Sequence, residues 1–425
     1  MTEEKKSNEK NAGQILLEEL EPNTGQKARG FKGFWLSIRI PILAVFSGLV
    51  LSAILIILTS EDVYAGFGAG LGPGFRAVWN VVVDSYGALF AGSLGSPAQI
   101  VSALQSGDGL AVRRAFNPFL ESLVASTPYI FAGLAVALGF RSGLFNIGVE
   151  GQLFLGAIFS AFVGYSITGV PAIIHIPLAL LAGALGGAIW GFIPGWLKAK
   201  TGGHEVINTI MMNYIAFRLS EWLLTGPMKR PDSYNPISPT ISENAMLYRF
   251  FQDPIRFHAG FFIALAVAWA AYWFLFKTKW GFNFRSVGAN PNAARYAGMN
   301  ITTTTVLAMA LSGALAGLAG ANEVLGVNHN LALAFSSGYG FDSIALALLG
   351  NSHPLGVVLA SLLFGTLRNG ATKMMVVTGI PIDIISVLQA VILMFIAAPA
   401  IIRTIYRLRK PKDEEEDSTL QSFGG

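Results

Sequence analysis

Long stretches of this chain carry no charge. Residues 42–60 qualify, as do 122–140, 151–170, 176–197, 259–276, 303–322 and 384–402, each almost wholly apolar. A helix needs about 20 apolar residues to cross the ~30 Å hydrocarbon core of a bilayer, so each stretch predicts a spanning helix. Residues 206–225 form a weaker candidate, carrying Asn208, Asn213, Arg218 and Glu221. Residues 332–350 and 355–372 are two shorter apolar pieces, separated by Gly350-Asn351-Ser352-His353-Pro354. The pattern predicts an all-α polytopic membrane protein with about ten transmembrane helices.

Basic residues orient these segments, because cytoplasmic flanks are enriched in Lys and Arg. Lys27, Arg29, Lys32 and Arg39 flank the first segment, which places the N-terminus in the cytoplasm. The second segment then ends at Arg141, the fourth at Lys198 and Lys200, the sixth at Lys277 and Lys279, and the tenth at the cluster Arg403–Lys412. All four groups fall on the cytoplasmic side only if 332–372 crosses twice, so both termini are expected there. The expected layout is a tail at 1–36, a first transmembrane helix within 37–60, an external or interfacial segment at 61–118, a core at 119–402 and a tail at 403–425. Within the core, the Pro-rich stretch 226–257 is expected as an irregular external loop, and 277–302 as a cytoplasmic loop. Gly-rich interruptions at 141–152 and around Ser336–Asp342 lie in two groups of segments with opposite starting sides. That suggests an inverted repeat with discontinuous elements, a pattern known in transporters.

Composition agrees. Of 425 residues, 53% are hydrophobic and 13% charged, against about 25% charged in soluble domains. The mean hydropathy is +0.54. There are no cysteines, which excludes disulfides, thiolate catalysis and cysteine metal sites. The first 35 residues are polar, so no cleavable signal peptide is expected.

Few residues carry candidate chemistry. In Arg141-Ser-Gly-Leu-Phe-Asn-Ile-Gly-Val-Glu-Gly-Gln152, three glycines interrupt helix, and Asn146 and Glu150 are spaced to share a helical face. Irregular backbone at membrane depth survives only when buried in protein or lining a cavity. The same residues also suit a short cytoplasmic turn with a capping Glu150. Gly183, Gly187, Gly191 and Gly195, with Gly313 and Gly317, form small-residue faces that let helices approach closely. In Arg285–Gly298, Asn290 suits an N-cap, Pro291 the first helical position and Gly298 a C-terminal stop, predicting a helix of about seven residues. A capped helix in a loop between two spans invites a partner. His204-Glu205 begins a zinc-protease motif, but Asn208 stands where the second His is required. Gly-Lys never occurs, so no Walker A motif exists and any ATP is bound by another polypeptide.

Phe145-Asn-Ile-Gly-Val-Glu-Gly-Gln152 resembles the permease subunits of bacterial ABC importers for simple sugars and nucleosides, relatives of the branched-chain amino-acid permeases. Glu205–Ile215, Ser286–Gly298 and Gly338–Ile344 with Leu349-Gly350 resemble three further blocks of that family. The resemblance covers roughly residues 115–402 and is strongest to the larger nucleoside permease, with a type II-like importer fold. It implies an ATPase subunit that binds ATP and Mg and docks on a coupling loop comprising Gly288, Ala289, Asn290, Pro291, Ala294, Arg295 and Gly298. It also implies a second, smaller permease, an extracytoplasmic substrate-binding lipoprotein, a small-molecule nucleoside as cargo, lipid as the surrounding phase, and no nucleic acid. The expected location is the bacterial plasma (inner) membrane. The chain itself is expected to hold no cofactor and catalyse nothing. Alternating access would place Phe145, Asn146, Glu150 and Gln152 near the substrate pathway, with Glu205, Asn208 and Asn213 as second candidates. The alternatives are a permease for ribose-like or autoinducer-type sugars, an ATP-independent secondary transporter or channel, and a membrane enzyme.

Overall fold

The computed structural model describes residues 31–381, 383–397 and 399–407. The chain divides into two units, one of residues 51–393 and another that joins the residues up to 50 to those from 394 onward. Helix α1 (Phe31–Thr59) is the first described element and belongs to the second unit up to Val50; its Ser47 hydroxyl lies 3.0 Å from that of Tyr406. The expected tails, 1–36 and 403–425, fall mostly outside the described residues; of the described parts, 31–36 and 403–405 are helical and 406–407 form a turn.

Most of the larger unit is helical. It contains α2 (Glu61–Ala69), α3 (Leu71–Ser93), α4 (Pro97–Ser106), α5 (Gly109–Arg141), α6 (Val149–Ser166), α7 (Ala172–Thr201) and α8 (Glu205–Thr225). After the loop come α9 (Gly260–Lys277), α10 (Lys279–Ala289), α11 (Pro291–Tyr296) and α12 (Ile301–Asn322), which continues into a π-helical turn at Glu323–Asn328. Then follow α13 (Tyr339–Leu349), α14 (Pro354–Thr378) and most of α15 (Asp383–Ala397), while the end of α15 and α16 (Pro399–Ile405) belong to the other unit. Each of the ten apolar segments contains helix, although 332–350 is helical only from Tyr339, and six of them lie in helices long and apolar enough to cross a membrane. The remaining four fall short for local reasons. Helix α6 carries Glu150 and Gln152, α8 carries the four polar residues noted above, α15 has 15 residues and α13 has 11.

Residues 61–118 are more helical than the sequence suggests. The 23-residue α3 lies along α14, burying Ser85, Ala88, Leu89 and Gly92. Arg76, Asn80 and Asp84, spaced four apart, keep this helix from presenting an apolar window. Asn369 of α14 donates to the Gly92 and Pro118 carbonyls, at 3.1 and 2.9 Å, which ties α3, α5 and α14 together.

The glycine faces meet as their spacing predicts. Helices α7 and α12 form the most extensive helix pair. A Cβ at Gly187 would land on the Gly313 carbonyl oxygen, one at Gly313 on the Gly187 oxygen, and one at Gly317 on the Gly183 oxygen. The backbones touch, so the contact rests on close packing between small residues.

Arg141, Lys198 and Lys277 close α5, α7 and α9 and mark what we term the basic end. The opposite, loop end carries residues 226–259, irregular apart from one 3-10 turn at Glu243–Ala245 and two isolated bridges. This loop caps the bundle through backbone bonds. Ser238 N–H donates to Leu331 O (2.8 Å), Ile241 N–H to His329 O (2.9 Å) and Leu247 N–H to Leu325 O (2.9 Å). His258 locks its end by accepting from Gly260 N–H at 3.1 Å. Burial, reinforced by neighbouring Arg249, pushes its imidazole down to about 4, so it is neutral at physiological pH.

Candidate functional site

Two helices of the core are broken, and their free ends meet. After Arg141 the chain turns at Gly143, whose φ of +70° is the left-handed region that favours glycine. Instead of staying at the basic end, residues 144–148 climb back into the bundle. Asn146 Nδ2 donates to Ser312 Oγ at 2.8 Å, and Ser312 Oγ donates to the Ala135 carbonyl at 2.7 Å. Ala135 lies six residues before Arg141, about 9 Å up α5 at 1.5 Å per residue. The segment is therefore an irregular piece buried at depth, not an exposed turn. Helix α6 starts only there.

The second break is its counterpart. Residues 329–338 descend from the loop end without helix, and α13 begins at Tyr339. The 11 residues of α13 span about 16 Å, half the hydrocarbon thickness. Its far end is tied to the basic end, where Arg141 donates to the Ser352 and Asn351 carbonyls at 3.0 and 2.9 Å. Its N-terminus therefore lies near mid-depth, against the N-terminus of α6.

Glu150 joins the two. One carboxylate oxygen accepts from Ser336 Oγ and the other from Gly340 N–H, both at 2.6 Å. A carboxylate in the first turn of α6 thus also caps the first turn of α13, where two positive dipole ends face it. The approach is tight, since a Cβ at Gly340 would strike the Glu150 backbone.

The other predicted residues divide into two groups. Asn146, Glu150, Gln152 and Asn213 are between 1% and 3% exposed and gather at the first break. Asn146 and Gln152 exchange side-chain hydrogen bonds at 2.9 and 3.2 Å. Asn213 Oδ1 accepts from Gly151 N–H (2.8 Å), and its Nδ2 donates to Ile147 O (2.9 Å), which supplies a free backbone donor and acceptor of the broken segment with partners. Glu205, Asn208 and Phe145 lie nearer the basic end. Glu205 pairs with Lys198, Asn208 is half-buried beside Gly203, and Phe145 is 38% exposed and packs on Phe140 at 5.2 Å between ring centroids.

A second polar group adjoins Glu150, and most of it escaped sequence reasoning. Asp342 accepts from Tyr129 Oη (2.9 Å) and from Arg368 Nη1 (3.1 Å). Arg368 Nη2 donates to the Ser337 carbonyl at 3.1 Å, and its guanidinium lies 5.9 Å from the centre of the Tyr339 ring. The signal was Arg368 itself, a cation inside an apolar segment, where such residues are costly and mark function.

The residues expected to form a coupling loop sit at the basic end. Asn290 Oδ1 accepts from Asn292 and Ala293 N–H at 3.0 and 3.1 Å, which caps α11. Pro291 is its first residue, Ala294 faces inward, Arg295 is exposed, and Tyr296 is 95% exposed. Gly298 stops the helix at φ +80°. Ala289 ends α10, a helix the sequence reading missed, and Gly288 presses on the Arg141 carbonyl.

Comparison with known proteins fits this architecture. The family described as "Branched-chain amino acid transport system / permease component" matches residues 119–397. The guanosine ABC transporter permease protein NupP of Bacillus subtilis is 43% identical over 295 residues, 69% of this chain and 84% of that protein. The glucose ABC transporter permease protein TsgB13 of Haloferax volcanii is 33% identical, covering 91% of this chain and 94% of its own. The nucleoside ABC transporter permease protein NupB of Lactococcus lactis is 32% identical, covering 87% and 93%. No solved structure matches. With the matched region taking in both broken helices and the capped helix α11, this multi-pass membrane protein belongs to the branched-chain amino acid transport system permease family.

Proposed function

We propose that the chain is the larger permease subunit of an ATP-driven ABC importer, forming the path for nucleosides by alternating access. The observation that carries the reading is α11, a fully capped six-residue helix held out at the basic end between α10 and α12. An ATPase subunit that binds ATP and Mg docks there, and its closure moves α11. Because Gly288 presses on the turn after α5, the motion passes to the segment that positions Glu150, and so to both broken helices. The basic end faces the cytoplasm of a bacterial cell, with both termini on that side, as the Lys and Arg distribution supports. An extracytoplasmic binding lipoprotein delivers substrate to the loop end, and a second, smaller permease completes the path.

The named activities of two relatives, guanosine and nucleoside transport, favour nucleosides. The glucose permease among them, similar over nearly the whole chain, keeps a simple sugar as the second reading. Uptake of radiolabelled uridine, guanosine and ribose, with and without this chain, separates them. Loss of nucleoside uptake alone is expected. Loss of ribose uptake alone would transfer the reading to sugars.

Arg295→Glu reverses the charge at the exposed face of α11. Nucleoside uptake and nucleoside-stimulated ATP hydrolysis are expected to fall together, with the chain still present in the membrane. Unchanged uptake would remove α11 from the coupling path.

A further inference from the structure

Resting on the importer reading, we propose that a polar cavity beside the head of α13 is a binding station for a neutral, polyhydroxylated substrate such as a nucleoside. The cavity has a volume of about 280 Å³ and is lined by Ser337, Asp342, Arg368, Asp383, Ser386 and Gln389. That is close to the lower end of small-molecule pockets, about 300 Å³.

Its position demands a wet or protein-covered face. Arg368 is the fifteenth of the 25 residues of α14, far from either end. Asp342 is in the first turn of α13, near mid-depth. Yet their side chains are 30% and 35% exposed. A charged side chain facing hydrocarbon at the centre of a helix is costly and rare, so lipid does not cover this face. Water, substrate and the neighbouring subunit are what it can meet.

The chemistry selects the ligand. Arg368 offers donors, Asp342 and Asp383 offer acceptors, Ser337 and Ser386 offer hydroxyls, and Gln389 offers an amide. Ile385 is the one apolar residue of the lining. Two carboxylates against one guanidinium give the lining a net charge of −1, unsuited to phosphorylated ligands. Nucleosides are accepted and nucleotides rejected. Ser337 of the lining follows Ser336, which bonds Glu150, so a substrate here sits close to where the two broken helices meet.

The absence of cysteine permits a direct test. Ser337→Cys and Ser386→Cys are made separately in the complete transporter. Membranes are treated with a charged methanethiosulfonate reagent, and modification is read on this chain by mass shift. Both cysteines are expected to react. A nucleoside at about ten times its Kd should slow the reaction about tenfold, the fall in free site required by mass action, whereas the corresponding nucleotide should not slow it. Unreactive cysteines would show that no water reaches this face. Reaction without nucleoside protection, while the parent transporter imports nucleosides, would show a wet face that is not a binding station. Either result overturns the proposal, and the importer reading survives both. A parent transporter that imports no nucleoside would overturn the two together.

Discussion

Gly313→Val is expected to prevent α7 and α12 from closing and to deplete the folded protein. At this crossing the Gly313 Cα faces the Gly187 carbonyl, and any Cβ would occupy the position of that oxygen. Gly317 against Gly183 repeats the constraint one turn along. Overfilling an ordinary core costs about 1–3 kcal/mol because side chains rearrange. Here the obstacle is backbone on a rigid helix, and an isopropyl group must push apart the most extensive helix pair in the fold. Against a net stability of about 5–15 kcal/mol, a cost of about 3 kcal/mol or more is severe. Ser312, next in sequence, also anchors Asn146, so separation of the helices would release the first broken segment too. The check is the yield and melting temperature of detergent-extracted protein. A variant that matches the parent in both would contradict the packing described.

Glu150→Ala is expected to abolish most transport while leaving the chain in the membrane. The substitution removes both acceptors at the meeting of α6 and α13 and leaves the buried Gly340 N–H without a partner. A buried donor so stranded costs about 1–3 kcal/mol, and α13 also loses its capping carboxylate. The helix pairs that build the core are untouched, so assembly persists. What is lost is the register between the two broken helices, the pair that the proposed alternating access moves. Glu150→Gln keeps one acceptor oxygen and should recover part of the uptake. Equal loss of protein from the membrane in both variants would mean that Glu150 serves folding alone.

Much of this arrangement is legible in the sequence. The apolar stretches mark the ten helical segments because lipid leaves no alternative to helix. The four-residue glycine spacing of α7 and α12 names the contact that forms. The glycines of 141–152 and the Ser336–Asp342 stretch mark both breaks. What the sequence does not give is their meeting. Glu150 and Gly340 are 190 positions apart, and no local pattern tells a capping glutamate in a turn from one that reaches across the bundle. Likewise Tyr129, Asp342 and Arg368 come together from three helices. Asn213 reads as a polar residue in a weak span, yet its amide completes the backbone of 147–151. Helix α3 stayed hidden because Arg76, Asn80 and Asp84 dilute its hydropathy, and α10 because its 11 residues are short and mixed.

The central claim is that this chain moves nucleoside only when driven by a separate ATPase. The decisive measurement is nucleoside accumulation in proteoliposomes containing the chain with its companion permease and binding protein, with and without the ATPase subunit and ATP-Mg. Accumulation only when ATPase and ATP-Mg are both present is the predicted result. Accumulation by this chain in their absence would identify an autonomous transporter and contradict the account.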